Sequence, residues 1–405
     1  MSIDPVQILS PGQHAVGGAP EGADVLLARD LVATGRDVVM VLRDDAGLER
    51  RAEAATFFAP EIDVIMFPAW DCLPYDRVSP RRALVGRRLA ALGRLHAKAD
   101  HGRLVLTTIS ALLQKVPPRK FLEGAGVTLA PGTRIAPDDL VRALERFGFN
   151  RIETVTEPGE YAVRGGIVDL FAADAGGPVR LDFFGDELET LRSFDPATQR
   201  STGESSPLTL TPVSEAPLDD DAIARFRSNY RTQFQVSGSD DPLYEAISEG
   251  RRHQGFEHWL PLFHDGLETL FDYAPGAAIL FDHQADAALQ ARRELIAEYY
   301  TARQTISDAD SGVPYRPISP DQLFIDEDTL NELLHGRARV DLSPFDGPNH
   351  SFDATIGRDY GDVRIDPNAN VYEAVVADIK ALQSAEMRVV VCALSDGSAE
   401  RLKGL

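Results

Sequence analysis

Four short and almost uninterrupted apolar runs constrain the fold of this chain more than any other feature. They read DVVMVL at 37–42, IDVIMF at 62–67, RLVLTT at 103–108 and AAILFD at 277–282, and segments with helical spacing of apolar residues separate them. Strands that are apolar on both faces are typical of a parallel sheet covered by helices on both sides. The sequence therefore predicts an α/β domain built on a parallel sheet.

The pattern changes between about residues 126 and 205. A helix predicted over 137–149 is followed by short alternating runs, with turn-like connections such as Gly185-Asp186. Such runs are typical of antiparallel hairpins. We predict an antiparallel α+β domain at 126–205, inserted into the parallel-sheet domain.

The inserted domain divides the parallel-sheet domain into two segments, predicted at 1–125 and 206–340. The run LTLTPV at 208–213 is expected to re-enter the first sheet. The stretch 341–370, rich in Pro, Gly and Asp, is predicted to be a linker. Residues 371–405 are predicted to form a helix, a strand and the start of a second helix, which would begin a further small α/β domain that is cut short at Leu405.

Composition excludes several function classes. The 405 residues carry a net charge of −22, and no run of Lys and Arg supplies the basic face needed to bind DNA or an acidic membrane by charge. Cys72 and Cys392 are too far apart to suggest a disulfide framework or a zinc site. No apolar run approaches the roughly 20 residues of a membrane span. We expect a cytoplasmic protein with no metal site and no membrane partner.

The stretch GGAPEGAD at 17–24 has the glycine spacing of a phosphate-binding loop. Gly17 and Gly22 match G-x-x-x-x-G, but Ala23 and Asp24 replace the lysine that holds phosphates and the hydroxyl that binds Mg²⁺. A carboxylate in place of a cation costs several kcal/mol of phosphate binding at a partly buried site, and we expect no ammonium here to meet a triphosphate. The stretch is either a glycine-rich turn or a degenerate nucleotide site.

A second motif bears on the same question. Asp282 ends the apolar run AAILFD as the aspartate of a Walker B strand would, but His283 stands where the catalytic carboxylate belongs. Two defects in two motifs favour a nucleotide site that has lost its function. We therefore assign no catalytic residue, and we expect no cofactor in this chain.

The inserted domain carries a candidate protein-binding face. Alternate residues of VRLDFF at 179–184 point to opposite faces, so Phe184 shares a charged face with Arg180. The turn at Gly185-Asp186 places Phe184 opposite Glu187 and Asp182 opposite Glu189. Phe184 either covers an edge of the core or forms a protein-binding hot spot, since aromatic and Arg residues are enriched in such spots. Arg164, before Gly165-Gly166, is either a surface ion pair or an anchor.

Longer blocks carry a resemblance to a known family. The stretches FPAWDCLPYDRVSP (67–80), EPGEYAVRGGIVDLF (157–171) and VRLDFFGDELETLRSFDPATQRS (179–201) resemble the N-terminal region of bacterial transcription-repair coupling factors, which is similar to the excision-repair protein UvrB. The resemblance implies that the parallel-sheet domain is a helicase-like, degenerate P-loop NTPase domain. It also implies that the insert binds UvrA through Arg164, Arg180 and Phe184.

The resemblance implies further partners for the longer protein. A C-terminal domain of the same protein would mask the UvrA-binding face, and RNA polymerase, DNA, ATP and Mg²⁺ would be bound by the part beyond Leu405. The leading hypothesis is a binding module without enzymatic activity that recruits UvrA to RNA polymerase stalled at DNA lesions.

Two hypotheses of other classes remain open. One is a noncanonical ATPase that uses Asp282 with a bound metal. The other is a DNA-binding module that uses the arginines of the predicted helix 81–98, although a solvated helix face also accounts for them. These arginines are Arg81, Arg82, Arg87, Arg88 and Arg94.

Overall fold

The computed structural model describes residues 4–123, 127–173, 175–235, 241–305, 315–345, 350–352, 354, 358–391, 393 and 395–403. The chain divides into two compact units, Met1–Ala354 and Thr355–Leu405. Each unit is considered by itself.

The strands of the described residues all lie in the first unit. They are β1 (Gly12–Gly17), β2 (Val38–Leu42), β3 (Asp63–Phe67), β4 (Arg103–Thr108), β5 (Val127–Leu129), β6 (Asn150–Arg151), β7 (Glu160–Arg164), β8 (Ile167–Phe171), β9 (Val179–Phe184), β10 (Glu187–Phe194), β11 (Ser201–Glu204), β12 (Leu208–Leu210), β13 (Ala278–Phe281), β14 (Ala338–Leu342) and β15 (His350–Ser351).

The described helices occur in both units. In the first unit they are α1 (Pro5–Ile8), α2 (Ala23–Val32), α3 (Asp45–Phe58), α4 (Arg82–His96), α5 (Ile109–Leu113), α6 (Arg119–Leu122), α7 (Pro137–Arg146), α8 (Asp220–Phe234), α9 (Pro242–Ser248), a 3₁₀ helix (Phe256–Leu262), α10 (Leu270–Tyr273), α11 (Ala285–Thr305), α12 (Pro320–Leu323) and α13 (Glu327–Leu334). In the second unit they are α14 (Gly361–Ile365), α15 (Val371–Ser384) and α16 (Asp396–Lys403). Within the described residues, no helix has the length and apolarity needed to cross a membrane.

A parallel sheet forms the centre of the first unit. Its order is β15-β1-β14-β13-β2-β4-β3, and each of its pairings is parallel. Every residue of β2 and of β4 is buried, because helices pack on both faces of the sheet. The predicted parallel α/β sheet is therefore confirmed. Along the sequence, strands β1 to β4 of this sheet precede the segment 126–205, and β13 to β15 follow it.

A second, separate sheet occupies that segment. Its order is β11-β10-β9-β8-β7-β6, and its pairings are antiparallel apart from the short parallel pair β6–β7. Helix α7 packs on one face through Leu140 and Leu144, which belong to the same core cluster as Leu181 and Leu188. The antiparallel α+β sheet is also confirmed.

The prediction that LTLTPV re-enters the first sheet is wrong. Strand β12 pairs instead with β5 as a two-stranded antiparallel ribbon. Leu208 and Leu210 are buried in the core of the insert, while Thr209 between them is exposed. This alternation suits a half-buried ribbon, whereas a central parallel strand must be apolar on both faces.

The linker predicted at 341–370 differs from the structure in part. Strand β14 extends to Leu342, and β15 pairs with the end of β1, so this Pro- and Gly-rich stretch adds strand to the sheet. The amide of Phe352 also donates to the carbonyl oxygen of Gly17 at 2.9 Å. Residues 346–349, 353 and 355–357 lie outside the described residues.

In the second unit, α15 and α16 agree with the two predicted helices. The strand predicted between them is not formed over the described residues 387–391. A strand needs a hydrogen-bonded partner, and the described part of this unit provides no partner strand. Cys392 lies outside the described residues.

Candidate functional site

Two hairpin turns lie side by side at one end of the strands of the insert sheet. The β7–β8 hairpin turns at Gly165-Gly166 and the β9–β10 hairpin at Gly185-Asp186. Gly165 and Gly185 have φ angles of +63° and +60°, which glycine adopts without the strain of a Cβ atom. The amide of Phe183 donates to the carbonyl oxygen of Gly166 at 2.9 Å and joins the two turns.

Phe184 is the last residue of β9, and its side chain projects into solvent. Its side chain is 76% exposed, while Phe183 beside it is buried in the core of the insert. The predicted pairing of Phe184 with Glu187 is confirmed. The predicted pairing of Asp182 with Glu189 is wrong, because a bulge after Leu188 places Thr190 opposite Asp182. Phe184 is thus an unburied aromatic side chain rather than part of a core edge.

Arg180 is held by a buried carboxylate. Its Nε and Nη2 donate to the two oxygens of Asp169 at 2.7 and 2.8 Å, and Asp169 is 1% exposed. The third nitrogen, Nη1, lies 3.4 Å from the carbonyl oxygen of Gln199, and the guanidinium lies over the ring of Phe194, 5.0 Å from its centroid. The hydrogen bond to Asp169 raises the pKa of Arg180 above its usual value. Each guanidinium nitrogen of Arg180 has a partner within the domain.

Arg164 is near the same carboxylate but is more exposed. Its Nη1 lies 3.8 Å from Oδ2 of Asp169, and its Nη2 donates to the carbonyl oxygen of Glu153 at 2.6 Å. Sequence analysis missed Asp169. The available signal was a charged residue in the strand IVDLF, and its importance emerges only when β8 pairs with β9 and sets Asp169 opposite Arg180.

The stretch GGAPEGAD connects a strand to a helix. Gly17 ends β1, and Gly22 precedes Ala23 and Asp24 in the first turn of α2. Asp24 is 2% exposed; its Oδ1 accepts from the amides of Gly22 and Val25 at 2.9 and 2.8 Å. Burial raises the pKa of this carboxyl group. The carboxylate is turned toward the protein interior.

A buried arginine pairs with Asp24. Arg51 of α3 is buried, and its Nε donates to Oδ2 of Asp24 at 2.9 Å. Nη1 of Arg51 lies 2.9 Å from Glu21, and its Nη2 lies 3.6 Å from Asp282 at the end of β13. Arg51 therefore joins the loop at 17–24 to the end of β13, and its guanidinium is already engaged by carboxylates of the protein.

His283, the other altered position, packs against Phe345 with ring centroids 5.4 Å apart. The described residues hold no group of three or more His, Cys, Asp or Glu side chains placed to bind a metal ion.

Comparison with known proteins agrees with this geometry. The family model named UvrB interaction domain matches residues 127–215 of the chain. Transcription-repair-coupling factors of Haemophilus influenzae and Escherichia coli are each 33% identical to the chain, over 82% and 79% of its length, and that of Rickettsia bellii is 30% identical over 91%. The chain belongs to the transcription-repair-coupling factor family. It spans 28%, 27% and 32% of the lengths of these three relatives.

The UvrB interaction domain of this coupling-factor chain ends at a buried ion pair. Arg88 of α4 donates from Nε to Oε1 of Glu215 at 2.6 Å, and both side chains are 0% exposed. Trp70 Nε1 donates to Oε2 of Glu215 at 3.1 Å, and Nη1 of Arg88 donates to the carbonyl oxygen of Pro68 at 2.6 Å. The solvated-face interpretation of the α4 arginines is therefore wrong for Arg88.

The other arginines of α4 do not form one basic surface. Arg81 pairs with Asp71, and Arg94 pairs with Asp63. Arg82 is half-buried and Arg87 is exposed. With its charges spread and partly neutralised in this way, α4 does not favour the DNA-binding hypothesis for this member of the coupling-factor family.

Proposed function

We propose that this chain is the UvrA-docking part of a transcription-repair coupling factor, which recruits UvrA to RNA polymerase stalled at a DNA lesion. The exposed Phe184, at the tip of a hairpin in the UvrB interaction domain, carries this proposal. A large aromatic side chain beside arginines is the usual centre of a protein-binding hot spot. Phe184 would be the anchor, with Arg164 and Arg180 beside it.

The other activities of a coupling factor belong, in this proposal, to parts of the protein outside this chain. Binding of RNA polymerase, translocation along DNA and the use of ATP and Mg²⁺ would lie in a C-terminal part, where a further domain would mask the UvrA-docking face. The chain itself would have no enzymatic activity.

The parallel-sheet domain fits a degenerate, UvrB-like helicase domain made of the segments 1–125 and 206–340. The strand–loop–helix at 12–32 and the aspartate that ends β13 support this proposal. The negative groups of Glu21, Asp24 and Asp282 surround Arg51 where a triphosphate would need free cations. The site would therefore be silent toward nucleotides.

Calorimetry distinguishes a site that binds no nucleotide from a noncanonical ATPase that uses Asp282. Titration of the chain with ATP and Mg²⁺ should give no saturable heat up to about 1 mM nucleotide, since the carboxylates repel phosphates and Arg51 is already paired. Micromolar affinity that disappears in Asp282→Asn would instead support a metal-dependent ATPase.

Phe184→Ala tests the docking function. We expect the affinity for purified UvrA to fall at least about 30-fold, because truncation of a central aromatic anchor typically costs 2 kcal/mol or more. Biolayer interferometry with immobilised chain would measure this change. Folding should be unaffected, because the Phe184 ring packs into no core cluster of the described residues.

Phe57→Ala is the matched control. Phe57 lies at the end of α3 and is 79% exposed, close to the exposure of Phe184, but it lies outside the insert. Its replacement should leave the affinity for UvrA within about twofold of the unmodified chain. Equal losses of affinity in Phe184→Ala and Phe57→Ala would indicate nonspecific binding. Unchanged affinity in Phe184→Ala would show that Phe184 is not part of the interface.

A further inference from the structure

The face of the insert sheet that bears Phe184 contains a third arginine, on strand β10. Arg192 lies directly opposite Arg180 in the β9–β10 pairing, so the two side chains share this face. Arg192 is exposed, and within the described residues no hydrogen bond or ion pair engages its guanidinium. Helix α7 covers the opposite face, so Arg192 remains open to solvent.

The two arginines differ in what they can offer a partner. Arg180 uses Nε and Nη2 on Asp169 and is only 20% exposed, so a carboxylate of a partner could take this same pair of donors only by displacing Asp169. That displacement would leave Asp169, which is 1% exposed, as a buried charge with a weaker partner. Arg180 therefore suits a positioning role in which it holds β8 and β9 together below the surface.

Arg192 has the opposite properties. Like charges directly across a strand pair repel, but Asp169 neutralises Arg180, so the exposed charges of this row of the sheet are those of Arg192 and of Glu204, which lies directly opposite Arg192 on β11. Asp182, two residues from Arg180 on β9, lies on the same face. Neither carboxylate forms an ion pair with Arg192 within the described part of the chain.

We propose that Arg192, and not Arg180, presents the free guanidinium of the docking face and binds a carboxylate of UvrA on the same face of the sheet as the Phe184 anchor. This inference rests on the proposed docking function. A guanidinium with all its donors free can form two parallel hydrogen bonds with a carboxylate, and this geometry adds orientation to the hydrophobic contact of Phe184. Arg180 is then a positioning residue.

The test is charge reversal at two exposed arginines of the same domain. Arg192→Glu should weaken the binding of UvrA at least about tenfold at low salt, because it opposes like charges across the interface. Arg142→Glu is the control, since Arg142 lies on α7, which packs on the other face of the sheet, and already pairs with Asp139. It should change the affinity less than about twofold.

Salt dependence gives a second measurement. Arg192→Ala should weaken binding at low ionic strength and should flatten the dependence of the affinity on salt, because one charged contact has been removed. Thermal unfolding of each variant should match the unmodified chain, since Arg192 is exposed and forms no ion pair among the described residues.

The outcomes separate this inference from the function on which it rests. Binding of UvrA by the unmodified chain, together with unchanged binding by Arg192→Glu, would overturn the inference and leave the docking function standing. If the unmodified chain fails to bind UvrA, both fall. Equal losses in Arg192→Glu and Arg142→Glu would overturn the inference as well, because the effect would then come from net charge alone.

Discussion

Replacing Arg88 with alanine is expected to lower the free energy of unfolding by about 4 kcal/mol, because it leaves the carboxylate of Glu215 buried without its cation. Both side chains are fully buried, and Trp70 would be the remaining side-chain donor to Glu215. The guanidinium also lies over the ring of Phe67, 4.5 Å from its centroid, so packing is lost together with the charge. Urea denaturation followed by circular dichroism would measure the change.

A double variant is the control for this result. Arg88→Met combined with Glu215→Leu removes both charges and keeps apolar volume, so its stability should lie well above that of Arg88→Ala and within about 1–2 kcal/mol of the unmodified chain. A loss of less than about 1 kcal/mol in Arg88→Ala would contradict the prediction and would mean that water reaches Glu215.

The effect of Arg88 bears on the docking function through the position of Glu215. Glu215 is the last residue of the matched UvrB interaction domain, and Arg88 belongs to helix α4 of the parallel-sheet domain. Near the same boundary, Nη2 of Arg252 donates to the carbonyl oxygen of Gly148 at 2.8 Å. Loss of Arg88 should therefore loosen the insert where it joins the parallel-sheet domain.

Arg180→Ala is the second large effect, and we expect it to destabilise the insert by about 3 kcal/mol. Asp169 would keep only the distant Arg164, at 3.8 Å, as a cationic partner. Loss of UvrA binding in Arg180→Ala would report unfolding of the docking face as much as loss of a contact.

Amide hydrogen exchange distinguishes the local effect from a global one. Strands β8 and β9 should exchange faster in Arg180→Ala, while β2 and β4 of the parallel sheet should keep their protection. Combining Arg180→Met with Asp169→Leu should restore most of the protection, because no buried charge remains. Unchanged exchange in β8 and β9 of Arg180→Ala would show that the stability of these strands does not depend on the ion pair between Arg180 and Asp169.

The regular elements could be predicted from the sequence because their signals are local. The apolar runs at 37–42, 62–67 and 103–108 fall within one residue of β2, β3 and β4. The parity of VRLDFF also placed Phe183 on the core-facing side of the strand and Phe184 on the charged side, and only the structure shows that Phe184 is exposed. A period of two along a strand follows from backbone geometry, so it can be read without knowledge of the rest of the fold.

Errors arose where a short segment had more than one place to pair. LTLTPV has enough apolar residues for a strand, but whether it joins the parallel sheet or β5 depends on which surface remains uncovered. The bulge after Leu188 is similar, since an extra residue in one strand is revealed only by its pairing with β9.

The sequence alone determined the alternation of strands and helices, the hairpin that carries Phe184, and the presence of Ala23 after Gly22 and of His283 after Asp282. Tertiary structure alone decided which arginines form ion pairs. Arg51 pairs with Asp24, Arg88 with Glu215 and Arg180 with Asp169. Arg192 is exposed and forms no ion pair among the described residues. The first two of these pairs join residues 27 and 127 positions apart. Ion pairing depends on distance in space and on burial, and packing sets both, whereas periodicity depends only on neighbours along the chain.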